Sequence, residues 1–205
     1  RANTDEVELA GLMVGRNVSR PERIPQAAGT PVLRLVGVSL EPRRGPVQLD
    51  ELSFEVRSGE VFGIAGVSGN GQSALSSVLS GLEQPTAGRI ELNGAPAGAL
   101  SPANLTARAV ARIPEDRHAD GLVVDMTVWE NLIAERYRDT AFSRAGVLLI
   151  THAKIEAERL IEEFDVRGAD SDTTVRLLSG GNMQKLILAR TLSRGPGFIL
   201  ADQPI

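Results

Sequence analysis

Several residue types are missing or scarce in this 205-residue sequence, and each shortage excludes a kind of site. There is no cysteine, so the chain can form neither a disulfide nor a thiolate metal site. Only two of the 22 basic residues are lysines, Lys154 and Lys185, which leaves few amines to bind a phosphate. No apolar run approaches the roughly 18 residues that a membrane-spanning helix needs.

The remaining composition is typical of a soluble globular domain. Hydrophobic residues make up 42% of the chain and charged residues 23%, which suffices for one sizeable core at this length. The net charge is −4, and no basic stripe stands out along the sequence. This charge argues against a nucleic-acid-binding surface.

A glycine-rich loop is the most informative segment that is present. Residues 66–73 read GVSGNGQS, which fits the phosphate-binding pattern G-x-x-x-x-G-K-[ST] except at the lysine position, where Gln72 stands. The loop follows the apolar run 61–65, predicted to be a buried strand, and precedes a helical apolar pattern that extends to Leu82 and is expected to stop at Gly81. This order favours a phosphate site at the helix N-terminus, and a chance glycine-rich turn is the alternative.

Hydrophobic patterns predict the other elements. Strands are expected over 32–40, 49–56, 89–93 (as an edge strand), 109–113 and 198–202. A mainly helical stretch is predicted from about 120 to 175, with Thr151 as a helix cap. Another helix is predicted to begin after Ser179 and to end by Gly195.

A second motif lies about 110 residues after the glycine loop. The sequence LSGG at 178–181 is followed by Gln184, and about 20 residues later an apolar strand ends at Asp202. The three motifs, in this order and spacing, resemble the ATP-binding domains of ABC transporters. A serine-capped helix start is the alternative explanation of the LSGG segment by itself.

A narrower resemblance rests on three short sequences. GNGQS at 69–73, PEDR at 114–117 and ADQP at 201–204 are similar to the second ATP-binding half of tandem importer ATPases, which serve bacterial simple-sugar and nucleoside importers. The resemblance implies an α/β fold: a P-loop (RecA-like) ABC ATPase core with an antiparallel β subdomain and an α-helical signature subdomain, truncated at the C-terminus.

The resemblance also implies a division of the chain. Residues 1–19 are expected to be the tail of a preceding ATP-binding half, and the proline-rich segment 20–31 a linker. Residues 32–205 are expected to form the second ABC ATP-binding domain, incomplete at its end. Its helical subdomain is expected over about 118–178.

ATP and Mg²⁺ are the cofactors that the resemblance implies. Asp202 matches the Walker B aspartate, and Ser73 would join it in holding Mg²⁺. Gln203 stands where an active ABC ATPase has its catalytic glutamate, and Glu115 lies near the position of the Q-loop glutamine. The Walker A residues that would surround the phosphates are Gly66, Ser68, Gly69, Asn70, Gly71 and Gln72.

Two departures from the family pattern weaken this chain's own ATP site. Gln72 keeps a hydrogen-bond donor but lacks a full charge, and charge-assisted bonds contribute roughly 1.5–3 kcal/mol, so phosphate affinity is expected to fall about 10- to 100-fold. Gln203 cannot act as a base, although a glutamine can orient a water. The signature is intact, and its residues Ser179, Gly180, Gly181 and Gln184 would complete the ATP site of the first half.

The implied function is that of an ATP-binding domain which couples ATP binding and hydrolysis to uptake of a simple sugar or a nucleoside. The pair Gln72 and Gln203 favours the nucleoside branch. The implied partners are the first ATP-binding half, the transmembrane permease subunits and, indirectly, an extracellular substrate-binding protein, at the cytoplasmic face of the membrane. Two alternatives stay open: a regulatory or scaffold module that binds nucleotide without hydrolysis, and a soluble ABC ATPase acting on nucleic acid.

Other conspicuous side chains have simpler interpretations. His118 and His152 are isolated, which indicates surface positions rather than metal ligands. The acidic loop around Glu115, Asp116 and Asp120 is either a solvated charged loop or a metal cluster. Trp129 either packs inside the helical region or faces the membrane subunit.

Overall fold

A computed structural model describes residues 26–41, 48–67 and 69–203. The predicted tail at 1–19, the first half of the linker 20–31, Ser68 and the final two residues lie outside the described residues. Among the described residues the longest helix has 14 residues, and none is both long and apolar enough to cross a membrane.

An antiparallel sheet of four strands forms the first part of the described chain. Its strands are β1 (Pro31–Leu40), β2 (Leu49–Arg57), β3 (Ala87–Leu92) and β4 (Ala95–Pro96), in the order β2-β1-β3-β4. The predicted strands at 32–40 and 49–56 are confirmed, but the edge position predicted for 89–93 is wrong. Asn93 and Gly94 both have positive φ, +52° and +76°, so the chain makes a tight turn and returns as β4, which covers the edge of β3.

A second sheet is parallel and consists of β5 (Val110–Ile113) and β8 (Phe198–Ala201). Val110 lies opposite Phe198, and Ile113 lies opposite Ala201. Both strands were predicted from apolar runs, and both are confirmed. Because they are parallel, the segments that follow them leave the sheet at the same edge.

The described part of the chain contains five α-helices: α1 (Gln72–Leu79), α2 (Pro102–Ala107), α3 (Val128–Ile133), α4 (Ile150–Glu163) and α5 (Gly180–Leu192). A π-helical turn (Arg117–Gly121) and a 3₁₀ turn (Val175–Leu177) are also present. Helix α1 ends before Leu82, which is 59% exposed, so its predicted place on the apolar helix face is wrong. Gly81, with a φ of +71°, turns the chain away from the helix axis before Leu82 is reached.

The stretch 120–175 is only partly helical, which corrects the prediction. Between α3 and α4 it forms a small hairpin of β6 (Ser143–Arg144) and β7 (Val147–Leu148). The hairpin runs directly into α4, so Leu149 becomes the residue that precedes the helix, and its amide donates to the carbonyl of Phe142 at 2.8 Å. Thr151 therefore lies inside the first turn and does not cap the helix.

Two apolar clusters make up most of the core. The first joins the antiparallel sheet to α1 and to Leu100 and Leu105, with Val110, Phe198 and Leu200 packed against it. The second is formed by side chains of α3, α4 and α5 together with Ile113, and half-buried Trp129 packs on its edge, as one of the two predictions for this residue expected. Alternate residues of β5 thus face different clusters, so this strand lies between them.

The segment 61–67, predicted to contain a buried strand, is neither a strand nor buried. Val61 is 99% exposed and Phe62 is 43% exposed, although the Phe62 ring stacks on Phe54 with centroids 5.0 Å apart. A strand needs a partner for its backbone groups, and no described strand pairs with this segment. Apolar composition alone therefore did not decide its structure.

Candidate functional site

The backbone of the glycine loop takes conformations that require glycine. Gly69 and Gly71 have φ values of +92° and +90°, in the left-handed region that other residues disfavour. A Cβ atom on Gly71 would also lie 2.6 Å from the carbonyl oxygen of Gln48, at the start of β2. A Cβ on Gly69 would meet no atom within 4 Å, so the outer side of the loop is open.

Helix α1 begins without a side-chain cap. Gly71 is its N-cap residue, and no side chain accepts a hydrogen bond from the first turn. By contrast, α2, α3 and α5 begin at Ser101, Thr127 and Ser179, whose hydroxyls each accept from a first-turn amide. Within the described residues the first N–H groups of α1 have no side-chain acceptor, as is also true of α4, and an anion such as a phosphate would fit them.

Gln72 and Ser73 start this helix, and the structure places them differently. Gln72 is half-buried and folds back over the loop: a Cβ on Gly66 would lie 2.5 Å from its amide nitrogen. Ser73 is exposed, with its hydroxyl available to a ligand. The described part of the loop therefore fits a phosphate through backbone amides and a neutral side chain, without a cation.

Predicted residues from the two parallel strands meet at one sheet edge. The amide of Asp202 donates to the carbonyl of Ile113 at 2.9 Å, which continues the pairing of β8 with β5 beyond Ala201. Glu115 follows Ile113 by two residues and is exposed. Gln203 is also exposed and has a φ of +42°. This edge thus carries the predicted Walker B aspartate and the predicted Q-loop position.

The acidic loop at 115–120 is a structured turn and not a cluster of ligands. The carboxylate of Asp116 accepts from the amides of His118 at 2.8 Å and Ala119 at 3.0 Å, and these bonds hold the pKa of Asp116 below its ordinary value. His118 and His152 are both exposed, as predicted. Within the described ranges, no three His, Cys, Asp or Glu residues come together as metal ligands would.

The signature residues form the start of α5. Ser179 caps the helix through its hydroxyl, which accepts from the Asn182 amide at 3.4 Å, and Ser179, Gly180 and Gly181 are all exposed. The Arg117 guanidinium donates from Nη1 to the carbonyl of Gly180 at 3.2 Å. Sequence reasoning included Arg117 only as part of the PEDR motif and gave it no role, because nothing in a local pattern links residues 63 positions apart.

Buried Arg190 is another residue that sequence reasoning missed. It is 8% exposed, and its Nη2 donates to the carbonyl of Gly121 at 2.7 Å. Burial lowers the pKa of its guanidinium, and the carboxylate of Glu135, 3.5 Å from Nε, opposes that effect. A charged residue within the apolar pattern of α5 was the available signal.

Comparison with known proteins assigns the family. A family model described as ABC transporter matches residues 49–205. The guanosine import ATP-binding protein NupO of Bacillus subtilis (strain 168) is 41% identical over 203 residues, which cover 98% of this chain and 40% of that protein. The nucleoside import ATP-binding protein NupA of Lactococcus lactis subsp. cremoris is 40% identical over 200 residues, which cover 96% of this chain and 39% of that protein.

A relative with a sugar substrate in its name matches equally well. The glucose import ATP-binding protein TsgD13 of Haloferax volcanii is 41% identical over 206 residues, which cover 99% of this chain and 38% of that protein. The chain thus spans about two fifths of the length of these curated relatives.

Solved structures confirm the fold. A nucleotide-free ATP-binding cassette from an ABC transporter superposes with a TM-score of 0.66 at 24% identity, covering 86% of this chain and 70% of the other. A dimeric cassette bound to ADP and Pi gives a TM-score of 0.64 at 23% identity, covering 84% of this chain and 74% of the other. The matched family model covers most of the chain and the fold agrees with it, so this chain belongs to the ABC transporter family.

Proposed function

We propose that this chain is an ATP-binding domain of an importer that couples ATP binding and hydrolysis to substrate uptake. Its own ATP site is weak, and its signature residues complete the site of a partner ATP-binding half. The proposal rests on one observation: a side chain could be accommodated at Gly180 and Gly181, at the exposed start of α5, yet both residues are glycine.

These two glycines are not required by the fold of this chain. Neither has a positive φ, a Cβ on Gly181 would meet no atom within 4 Å, and a Cβ on Gly180 would make only an ordinary 3.5 Å contact with Arg117. Glycine is less favourable than alanine in a helix by up to about 1 kcal/mol. Their presence is therefore explained by close approach of something outside the chain, which fits a phosphate held by a partner.

The chain's own loop supports nucleotide binding without efficient hydrolysis. Backbone amides at Gly69 and Gly71 and the uncapped start of α1 would bind phosphate oxygens, whereas the Asn70 amide donates to the Val67 carbonyl at 3.2 Å. Ser73 and Asp202 would hold Mg²⁺ through oxygen atoms, as that ion prefers. Mg–ATP, when bound, supplies the phosphoryl group that water removes.

Hydrolysis of ATP needs a positive charge at the terminal phosphates and a base for the attacking water, and the residues at 72 and 203 provide neither. Gln72 brings no charge to the terminal phosphates, and Gln203 can orient a water but cannot accept its proton. Binding and release of nucleotide are the steps that this loop supports best. Efficient hydrolysis is left to the partner's loop, with this chain's signature facing it.

The transported substrate is proposed to be a nucleoside or a simple sugar. Relatives of almost equal identity import guanosine, nucleosides and glucose by their names, and the glutamine pair at 72 and 203 favours the nucleoside class. The proposed partners are a first ATP-binding half, transmembrane permease subunits and, indirectly, an extracellular substrate-binding protein. The proposed location is the cytoplasmic face of the membrane.

The test is made in the longer tandem protein that carries this chain after an intact ATP-binding half. Ser179→Arg places a bulky cation at the exposed helix start, and ATPase activity is expected to fall at least 100-fold. Gly181→Ala is the matched variant that the fold tolerates, so its thermal stability should equal or exceed that of the unaltered protein while ATPase activity falls.

The outcome also separates the proposal from its nearest competitor. If ATP hydrolysis survives Ser179→Arg, the signature does not complete a working site, and the chain is better described as a nucleotide-binding regulatory or scaffold module. Substrate uptake by vesicles containing the assembled transporter provides the second readout, and it should fall in parallel with hydrolysis.

A further inference from the structure

The π-helical turn Arg117–Gly121 lies between the sheet edge and the signature helix. Its backbone closes through two bonds of 3.0 Å, from the Gly121 amide to the Asp116 carbonyl and from the Leu122 amide to the Arg117 carbonyl. The Asp116 carboxylate caps the start of the turn. Single π turns are rare in proteins and occur frequently at functional sites.

This turn contacts α5 at three points. At the start of the helix, the Arg117 guanidinium donates to the Gly180 carbonyl at 3.2 Å. In the middle, Gly121 lies so close to Ile187 that a Cβ would be 2.7 Å from the Ile187 Cδ1 atom. Further on, Arg190 donates to the Gly121 carbonyl at 2.7 Å.

The three contacts span most of the helix and differ in burial. Ten residues separate Gly180 from Arg190, which is about 15 Å along the helix axis. The Gly121 contacts are buried, with Arg190 only 8% exposed, and they fix the turn to the body of α5. The Arg117 contact lies at the exposed end, and Arg117 forms no ion pair with any described residue. Apart from the charge of neighbouring Asp116, the Gly180 carbonyl is the one partner that the structure gives its guanidinium in the described chain.

We propose that Arg117 is a positioning residue for the signature. By holding the Gly180 carbonyl, it fixes the first turn of α5 relative to the sheet edge that carries Glu115 and Asp202. This inference rests on the proposed function for its catalytic consequence, but the positional effect can be measured without it. Arg117 itself lies outside the glycine loop, the signature and the predicted Walker B aspartate.

The first test measures amide hydrogen exchange in this chain by NMR. Arg117→Gln removes the charged donor, and the amides of Asn182, Met183 and Gln184 should exchange roughly three- to tenfold faster. Arg117→Lys keeps a charged donor and should restore part of the protection. Arg176→Gln is the matched control, since Arg176 lies three residues before Ser179 but pairs with Asp125, and its loss should leave those amides unchanged.

The second test measures ATP hydrolysis by the tandem protein. Because the proposed function places the signature against the partner's ATP during hydrolysis, Arg117→Gln should lower kcat roughly three- to tenfold with little change in KM, and Arg117→Lys should recover part of that loss. Arg176→Gln should retain the original kcat.

The outcomes distinguish this inference from the proposed function. If the amides of Arg117→Gln exchange at the original rates, the positioning role is overturned. It is also overturned if Ser179→Arg abolishes hydrolysis while Arg117→Gln speeds amide exchange but leaves kcat unaltered. Faster exchange in Arg117→Gln together with hydrolysis that survives Ser179→Arg would instead remove the proposed function and leave Arg117 as a positioning residue of the helix.

Discussion

At the scale of single residues, Gln72 has the largest chemical consequence. Its neutral amide lies over Gly66 within the loop, at the position where the phosphate-binding pattern has lysine. A lysine would extend past the loop with a full positive charge, whereas the glutamine amide offers a neutral donor. We therefore expect the side chain at 72 to set the affinity of this loop for phosphate.

Replacing Gln72 by lysine is therefore expected to strengthen binding. In Gln72→Lys we expect the affinity of this chain for Mg–ATP to rise about 10-fold or more, because a charge-assisted bond to the terminal phosphates is added. Isothermal titration calorimetry provides the measurement. His152→Lys adds the same charge at an exposed position on α4 and should leave the affinity for Mg–ATP unchanged. Low-micromolar affinity in the unaltered chain would contradict the view that Gln72 weakens this site.

At the scale of elements, side chains in the first half of α5 bind the segment that follows α4. Near its start, Lys185 donates from Nζ to the backbone carbonyl and the carboxylate of Asp165, which follows α4. The Asn182 amide group exchanges two hydrogen bonds with the backbone of Arg167, at 3.0 and 2.8 Å. The segment 165–167 thereby connects α4 to the signature helix.

The Asp165 carboxylate gives this connection a pH dependence. Hydrogen bonds from Arg167 and then Lys185 lower the pKa of Asp165 to about 2 from an ordinary 3.8. Since the folded-state pKa is lowered, the stabilisation is fully present above about pH 4 and is lost as the pH falls towards 2. Acid should therefore loosen this segment before it protonates the folded-state carboxylate completely.

Removal of one partner should shift that pKa in a predictable direction. In Lys185→Gln we expect the pKa of Asp165 to rise, while remaining below 3.8 because Arg167 is still bonded to it. NMR titration of the carboxyl carbon measures the shift. Lys154→Gln is the control, since the only other lysine pairs with Asp172 and its loss should leave the Asp165 titration unaltered. An unchanged pKa in Lys185→Gln would show that the bond is not formed in solution.

At the scale of the whole molecule, two apolar clusters share the short parallel sheet. Val110 packs against the cluster of the antiparallel sheet, and Ile113, three residues later, belongs to the helical cluster. The strand β5 therefore contacts both clusters, and β8 beside it packs Phe198 and Leu200 against the first. The π-helical turn Arg117–Gly121 follows β5 and contacts α5, which belongs to the helical cluster.

The segment 61–67 contacts the first cluster through the stacking of Phe62 on Phe54 but forms no strand. No amide of residues 61–66 donates a hydrogen bond to another described residue, and Val61 is almost fully exposed. We expect these amides to exchange with solvent deuterium at rates close to those of an unstructured peptide, while β1 amides are protected. Exchange measured by mass spectrometry on this chain tests this, with β1 as the internal control. Protection of 61–66 equal to that of β1 would show that the segment is paired.

Prediction from the sequence succeeded where local periodicity decides the structure. The strands at 32–40, 49–56, 109–113 and 198–202 and the helix after Ser179 all lie where their patterns placed them. It failed where a neighbour decides. No described strand pairs with the apolar run 61–65. The strand at 89–93 is not at the sheet edge because β4 pairs with it. Thr151 does not cap α4 because the hairpin of β6 and β7 leads directly into the helix at Leu149.

The sequence by itself determined the glycine loop, the capped start of α5 and the family, because each depends on residues close together in the chain or on motif order. The tertiary structure alone decided which segments hold one another. The bonds from Arg117 to Gly180 and from Arg190 to Gly121 join residues 63 and 69 positions apart, and the close contact of Gly71 with the Gln48 carbonyl also joins separate segments. Such contacts follow from how the two clusters pack on the sheet, which no local pattern encodes.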